Sequence, residues 1–308
     1  MKRTLFLIDN DLMGFFPDER NSLNIYEVFK KSRYWNLLRR IFNKLQINTL
    51  PIMYNNSWIN KLKSYDKIVI FDGLEINNLV KLILSRFPNK EIIVWYWNPV
   101  EYVSVKPWML DKRISSIWTY SSYDAYKYNL KLNSQFYFKE ELSRCHQTNK
   151  CNKDVFFVGS NKNRKEKIER LEKLFKEKKI SYFFYLTGLN NKGNHSLPMS
   201  YTDVLKNINN SKAVLDLRNS NLQSGMSLRP LEALYFKKKL ITNDPYIKKE
   251  KIDDANNIFI LGEDNINDLH HFLNTEFYVS KHYPDLINYY CFQRWSERFT
   301  NSGNVVTR

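Results

Sequence analysis

The order of apolar runs along the chain predicts an α/β protein built from two doubly wound domains. Three observations carry that prediction. Short apolar runs ending at Gly, Asp or Asn-Pro alternate with segments whose apolar residues recur every three or four positions, the pattern of a parallel sheet with helices on its faces. The alternation stops in one polar stretch, Glu140 to Lys153, and then begins again. A length of 308 residues also suits one large or two medium domains.

The elements follow in order. Residues 4–8 read as a strand that Asp9-Asn10-Asp11 stops at once. That run is shorter than the roughly 7–15 apolar residues of a secretory core, so it reads as a buried strand. Residues 23–46 place Val28, Tyr34, Trp35, Leu38, Ile41 and Leu45 at helical spacing. Residues 67–71 form a strand closed by Asp72-Gly73, and residues 75–86 a helix with Ile76, Leu79, Val80, Ile83 and Leu84 on one stripe. Residues 91–97 are a strand closed by Asn98-Pro99, with a further strand over 114–120 and a short helix over 123–129. After the polar linker, strands are predicted over 154–159, 181–186, 213–217, 239–242 and 258–261. Helices are predicted over 165–178, 201–209, 227–236 and 266–273, and helical spacing returns over 286–299. The expected organisation is an N-terminal domain over 1–150, a C-terminal domain over 151–285 and a tail, 286–308, packing back on the N-terminal domain. In such sheets ligands sit beyond the carboxyl ends of the strands, so the cleft between two of them is the expected active site.

Composition narrows the function classes. A hydrophobic fraction of 43% excludes a disordered chain. No stretch reaches the roughly 18–20 apolar residues of a membrane-spanning helix. Cys145, Cys151 and Cys291 are odd in number and lack zinc or CxxC spacing, which suits reduced thiols in the cytoplasm. The five histidines form no HxH or HxxxH set, so no metal site is expected. The formal net charge of +16 points to a polyanionic partner without choosing one.

The densest chemistry lies in Asn221 to Glu232, between a strand and a helix. Ser224-Gly225 makes a flexible turn, followed by Met226, and Ser227 is a good N-cap. Free N–H groups at a helix start form an anion site, and Arg229 adds a guanidinium that suits a phosphate. Glu232, one turn on, can accept two hydroxyls of a ribose. A plain capped helix explains the same residues equally well. A second phosphate-compatible turn is Gly159-Ser160-Asn161-Lys162-Asn163-Arg164, which lacks the spacing of a P-loop. In the first half, Asp9 and Glu101 stand at strand ends where a carboxylate can act as general base; ordinary turn-forming acids are the simpler reading there.

Taken together, the run Asp154–Gly159 with Arg164, the segment Ala213–Asp216, Gln223–Leu234 and Lys238–Asn243 resemble bacterial lipopolysaccharide and capsular polysaccharide glycosyltransferases of GT-B architecture. Asn257–Leu261 fits their last strand; Trp97-Asn98-Pro99 and Tyr120–Ala125 look like segments of the same group. The resemblance covers most of the second half and the first half loosely. It implies two Rossmann-like domains facing each other across a cleft, with the nucleotide sugar on the C-terminal one. It further implies Glu232 on the ribose, Ser224, Gly225, Met226 and Ser227 around the diphosphate, and Arg229, Arg164, Gly159 and Asn161 beside it. Asn10, Trp97 and Asn98 become candidates for the acceptor, and Asp9, then Glu101, for the base. Many retaining members carry an acid a few residues upstream of the ribose Glu; here Ser224 and Gly225 stand in that place.

The expectation is therefore a cytoplasmic, metal- and cofactor-independent transferase, peripheral on the inner face of the plasma membrane. It would move a sugar from a nucleotide diphosphate, UDP first, to a hydroxyl of a growing, lipid-linked glycan. An anionic membrane surface is a further expected partner, and nucleic acid is not. Two other readings stay open on the residues alone: a single-stranded nucleic-acid binder, suggested by charge and aromatics, and a nucleotide-sugar binder without transfer.

Overall fold

The computed structural model describes residues 3–9, 14–30, 32–44, 51–73, 75–145, 151–160, 164–189, 195–218, 225–250, 252 and 256–300. The chain is mixed α/β and divides into two compact units. The first comprises residues 1–12, 16–133 and 304–308, and the second residues 13–15 and 134–303.

The first unit is built on six strands: β1 (Thr4–Ile8), β2 (Ile25–Glu27), β3 (Lys67–Phe71), β4 (Glu91–Tyr96), β5 (Ser116–Thr119) and β6 (Lys131–Leu132). They pair in the order β2-β1-β3-β4-β5-β6, every neighbour parallel. Ile68, Val69, Ile70 and Ile92 to Trp95 are all at most 1% exposed. A parallel strand buried on both faces reads as a continuous apolar run, which is why β3 and β4 stand where the sequence predicts them. The helix Ile76–Arg86 buries the expected stripe and ends at Phe87, because the residue before Pro88 is steered out of the helical region.

Residues 23–46, predicted as one helix, are three things. Arg20–Leu23 is a 3₁₀ turn, Asn24 takes a left-handed φ of 60°, and Ile25–Glu27 is the edge strand β2. The helix is Arg33–Lys44. A three-residue strand is too short to show a period, and Val28, just beyond it, is buried outside the helix. On the helix, Trp35, Leu38 and Phe42 pack on the core, while Tyr34, Leu37 and Ile41 are 64%, 58% and 43% exposed. Leu45 lies outside the described residues.

The second unit holds β7 (Lys153–Ser160), β8 (Tyr182–Leu189), β9 (His195–Ser196), β10 (Ser211–Asp216), β11 (Lys239–Thr242) and β12 (Ile258–Ile260). Their order is β12-β11-β10-β7-β8-β9, parallel except for the antiparallel edge strand β9. Helix Lys165–Glu177 lays Ile168, Leu171 and Phe175 on the core. Helices Tyr201–Asn209 and Leu228–Tyr235 start at Ser200 and Ser227, whose hydroxyls accept first-turn N–H groups.

The expected linker contains a helix, Lys139–Arg144, and the units divide after residue 133, where the sequence reading divides them at 150. The cause is aromatic packing. Phe136, Tyr137 and Phe138 are fully buried, and Phe136 lies 4.1 Å from the ring of Trp295 in the tail. The tail is two short helices, Tyr283–Tyr289 and Phe292–Glu297, not one. Between them, Tyr290 O and Phe292 N bond the backbone of Tyr137. The tail thus packs on residues 134–142, inside the second unit. All three cysteines are free thiols. Among the described residues no helix is long and apolar enough to cross a membrane.

Trp295 is fully buried, and its indole N–H donates to Ser134 O at 2.8 Å. Trp295→Ala is therefore expected to cost about 3–5 kcal/mol in urea unfolding. A loss below about 1 kcal/mol contradicts the packing described.

Candidate functional site

In an open parallel sheet the crevice lies at the carboxyl edge, where successive connections leave in opposite directions. In the second unit that point falls between β7 and β10, because β8 lies on one side of β7 and β10 on the other. Arg164, at the N-cap of Lys165–Glu177, spans it. Its Nε donates to Leu217 O at 3.1 Å and its Nη1 to Ser160 O at 3.3 Å. Gly159 makes room: a Cβ there would meet Phe157 Cζ at 2.8 Å and Arg164 Nη1 at 3.2 Å.

The turn leading into helix Leu228–Tyr235 completes this edge. Gly225 has φ +104°, a conformation side chains rarely adopt, and its carbonyl accepts Arg218 Nη2 at 2.7 Å. Met226 points into the core. Ser227 Oγ accepts Arg229 N–H at 3.3 Å and donates to Asp216 Oδ1 at 3.0 Å. Arg229 Nη1 pairs with Glu232 Oε2, and Arg218 Nη2 pairs with Asp244 Oδ2. Asn161 and Ser224 lie outside the described residues.

Exposure separates the two signs of charge. Arg229 and Arg218 keep 19% and 12% of their side-chain surface, against 0% and 3% for Glu232 and Asp244. The carboxylates are almost fully enclosed, and the arginines, themselves mostly buried, lie against them. Burial raises the carboxyls of Glu232, Asp216 and Asp244. Arg229 offsets most for Glu232, and Arg218 for Asp216 and Asp244. Glu232 Oε1 and the Tyr201 hydroxyl are buried side-chain atoms that make no full hydrogen bond with the described residues. The hydroxyl is still near enough to ease the rise at Glu232, and burial with the Glu232 charge drives Tyr201 well up.

In the first unit the switch point lies between β1 and β3. Asp9 follows β1 and Asp72 follows β3, and a Cβ at Gly73 would lie 3.9 Å from Asp9 Cβ. Asp72 Oδ1 accepts Trp97 N–H at 3.2 Å, and Oδ2 accepts Asn98 N–H at 3.1 Å and Nδ2 at 2.9 Å. The Trp97 ring packs 5.3 Å from Phe71 and 5.6 Å from Phe16. The structure thus gathers Trp97 and Asn98 around Asp72, with Asp9 beside Gly73. Glu101 stands apart, exposed on the turn Val100–Tyr102, near enough to Asp124 that its charge helps to raise that carboxyl. Asn10 lies outside the described residues.

Asp72, Asp216, Arg218, Asp244 and Tyr201 were missed in the sequence. An acid closing or following an apolar strand run was the available signal for Asp72, Asp216 and Asp244. Nothing local marks Arg218 or Tyr201, which matter through packing alone. Among the described residues no group of three His, Cys, Asp or Glu is placed to hold a metal. No protein-family model matches the chain, and no curated protein matches it.

Burial lifts the Asp72 carboxyl to about 6, against the lowering effect of its three N–H donors. An acid raised on folding holds its proton more tightly when folded. Its contribution is full below about pH 4 and is lost as pH rises through about 6. Urea unfolding is expected to show the native chain losing up to about 3 kcal/mol relative to Asp72→Asn between pH 4 and 7. Parallel pH profiles for the two proteins contradict the assignment.

Proposed function

We propose that the protein is a glycosyltransferase of GT-B architecture that moves a sugar from a nucleotide diphosphate, UDP first, to a hydroxyl of a growing surface glycan. The observation that carries the reading is the row of Arg164, Arg218 and Arg229 at the switch point of the second sheet, with buried carboxylates behind them. Guanidinium groups beside the N-terminus of Leu228–Tyr235 suit a diphosphate, whose charge grows as the sugar departs. In this reading the two units face each other across a cleft and the first unit holds the acceptor.

If configuration inverts, a carboxylate must take the acceptor proton, and Asp9 is the first choice, at the edge where Asp72 and Asn98 gather. Glu101, exposed on its turn, is the second. Glu232 is fully enclosed and pinned to Arg229. Its first task here is to aim that guanidinium, and ribose hydroxyls reach its carboxylate only if Arg229 or Tyr201 turns aside. Association with an anionic membrane belongs to the same proposal, since Tyr34, Leu37 and Ile41 lie exposed on a helix whose sequence contains Arg33, Arg39 and Arg40. The acceptor is then a lipid-linked glycan.

Calorimetric titration with UDP tests the site. Arg229→Ala and Glu232→Ala are each expected to weaken binding about tenfold or more, since a charge-assisted hydrogen bond contributes about 1.5–3 kcal/mol. Unchanged affinity in both removes the donor site from this edge. Sugar transfer, measured across a panel of nucleotide sugars and glycan acceptors, separates an enzyme from a binder that holds the donor and leaves it intact.

A further inference from the structure

Helix Leu228–Tyr235 has a second face that the donor site does not use. Arg229 and Glu232, three residues apart, serve the carboxyl edge of the sheet. Pro230, Ala233 and Leu234 recur at the same helical spacing on another side. There they wall a cavity of about 470 Å³ whose floor includes Leu240 and Ile258 near the starts of β11 and β12. The segment 277–286 closes the far wall with Tyr283 and Leu286. Every wall belongs to the second unit.

The deep polar groups of this cavity are already engaged. The Asn257 side chain bonds both the N–H and the C=O of Tyr278, at 2.8 and 2.7 Å. The Tyr283 hydroxyl donates to the carbonyls of Leu234 and Tyr235, each 3.1 Å away. A sugar or a base placed inside would find few open hydrogen-bonding partners and would lose its own to water. The mouth differs. His282 and Asp285 are exposed there, and Lys237, also exposed, holds its Nζ 5.5 Å over the Tyr283 ring, while Lys238 in the wall is buried with its Nζ 3.6 Å from Cys151 Sγ. The interior therefore suits hydrocarbon, and the exposed Lys237 ammonium above the Tyr283 ring suits an anionic head.

We infer that this cavity binds one alkyl chain of an anionic amphiphile, with the chain against Ala233, Leu240 and Leu286 and the charged head beside Lys237. Either a bilayer phospholipid or a soluble alkyl phosphate has that chemistry. The inference does not depend on the donor-site reading, because its residues and its ligand are different.

Titration with octyl, nonyl and decyl phosphate below their micelle concentrations is the test. Affinity is expected to rise about fourfold per methylene, the increment for burying one CH₂. Leu286→Trp, which blocks the mouth, is expected to abolish that rise while UDP affinity stays as in the native chain. Ala233→Leu narrows the same space from the helix and serves if the first variant does not fold. Lys237→Glu is expected to remove the preference for alkyl phosphate over alkyl maltoside and to keep the chain-length dependence. Sedimentation with phosphatidylglycerol vesicles, but not phosphatidylcholine vesicles, that is lost in Leu286→Trp makes the ligand a bilayer lipid. Binding of the monomers alone makes it a soluble amphiphile. No gain with chain length, or equal binding in the native chain and both filled variants, overturns the inference.

Discussion

Charge burial governs the second unit. Glu232 has no exposed surface and Asp244 almost none, and an isolated carboxylate in either place would be driven to take up a proton. Arg229 and Arg218 lie against them and hold them as ion pairs. The geometry of each element nearby follows from keeping those pairs intact. Ser227 caps the helix and ties it to Asp216; Gly225 adopts a left-handed turn that brings its carbonyl to Arg218. Removing one partner from such a pair strands the other, which typically costs more than the pair itself contributes. An array held this tightly on its inner side keeps the arginines oriented before any ligand arrives, the condition under which fixed charges act most strongly on an anion.

The first unit solves a related problem with neutral donors. Among the described residues no arginine or lysine bonds Asp72; three N–H groups from Trp97 and Asn98 hold its carboxyl, and burial still lifts it. The contrast follows from what surrounds each strand end. At β3 the neighbours are the aromatic rings of Phe71, Trp97 and Phe16, which remove water without supplying charge. At β10 the neighbours are arginines. Two sheets with parallel central strands thus end in chemically different crevices, one rich in cations and one carrying a partly desolvated acid.

Legibility in the sequence tracked how local each signal was. β3, β4 and β7 read correctly because a buried parallel strand writes an unbroken apolar run. The helix Ile76–Arg86 read correctly because its stripe and its closing proline are both local. β2 and β9 did not, since two or three residues show no period. Neither did the place of Phe136 to Phe138, which is set by Trp295 and Phe292 far along the chain. The same division holds at the site. Arg164, Ser227 and Arg229 were visible from helix-start chemistry, whereas Arg218 and Tyr201 enter only when strands and helices distant in sequence meet. Glu232 was visible as a carboxylate one turn into a helix. Its complete enclosure was not, because burial depends on Tyr201 and on the packing of the whole helix.

In the proposed reading the arginine row recognises the diphosphate and not the nucleoside. Calorimetric titration of the native protein with uridine, UMP and UDP tests it directly. UDP is expected to bind at least about tenfold more tightly than UMP and uridine weakest, with the gap shrinking as salt rises. Equal affinity for uridine and UDP, or a preference for UDP that is insensitive to salt, would contradict it.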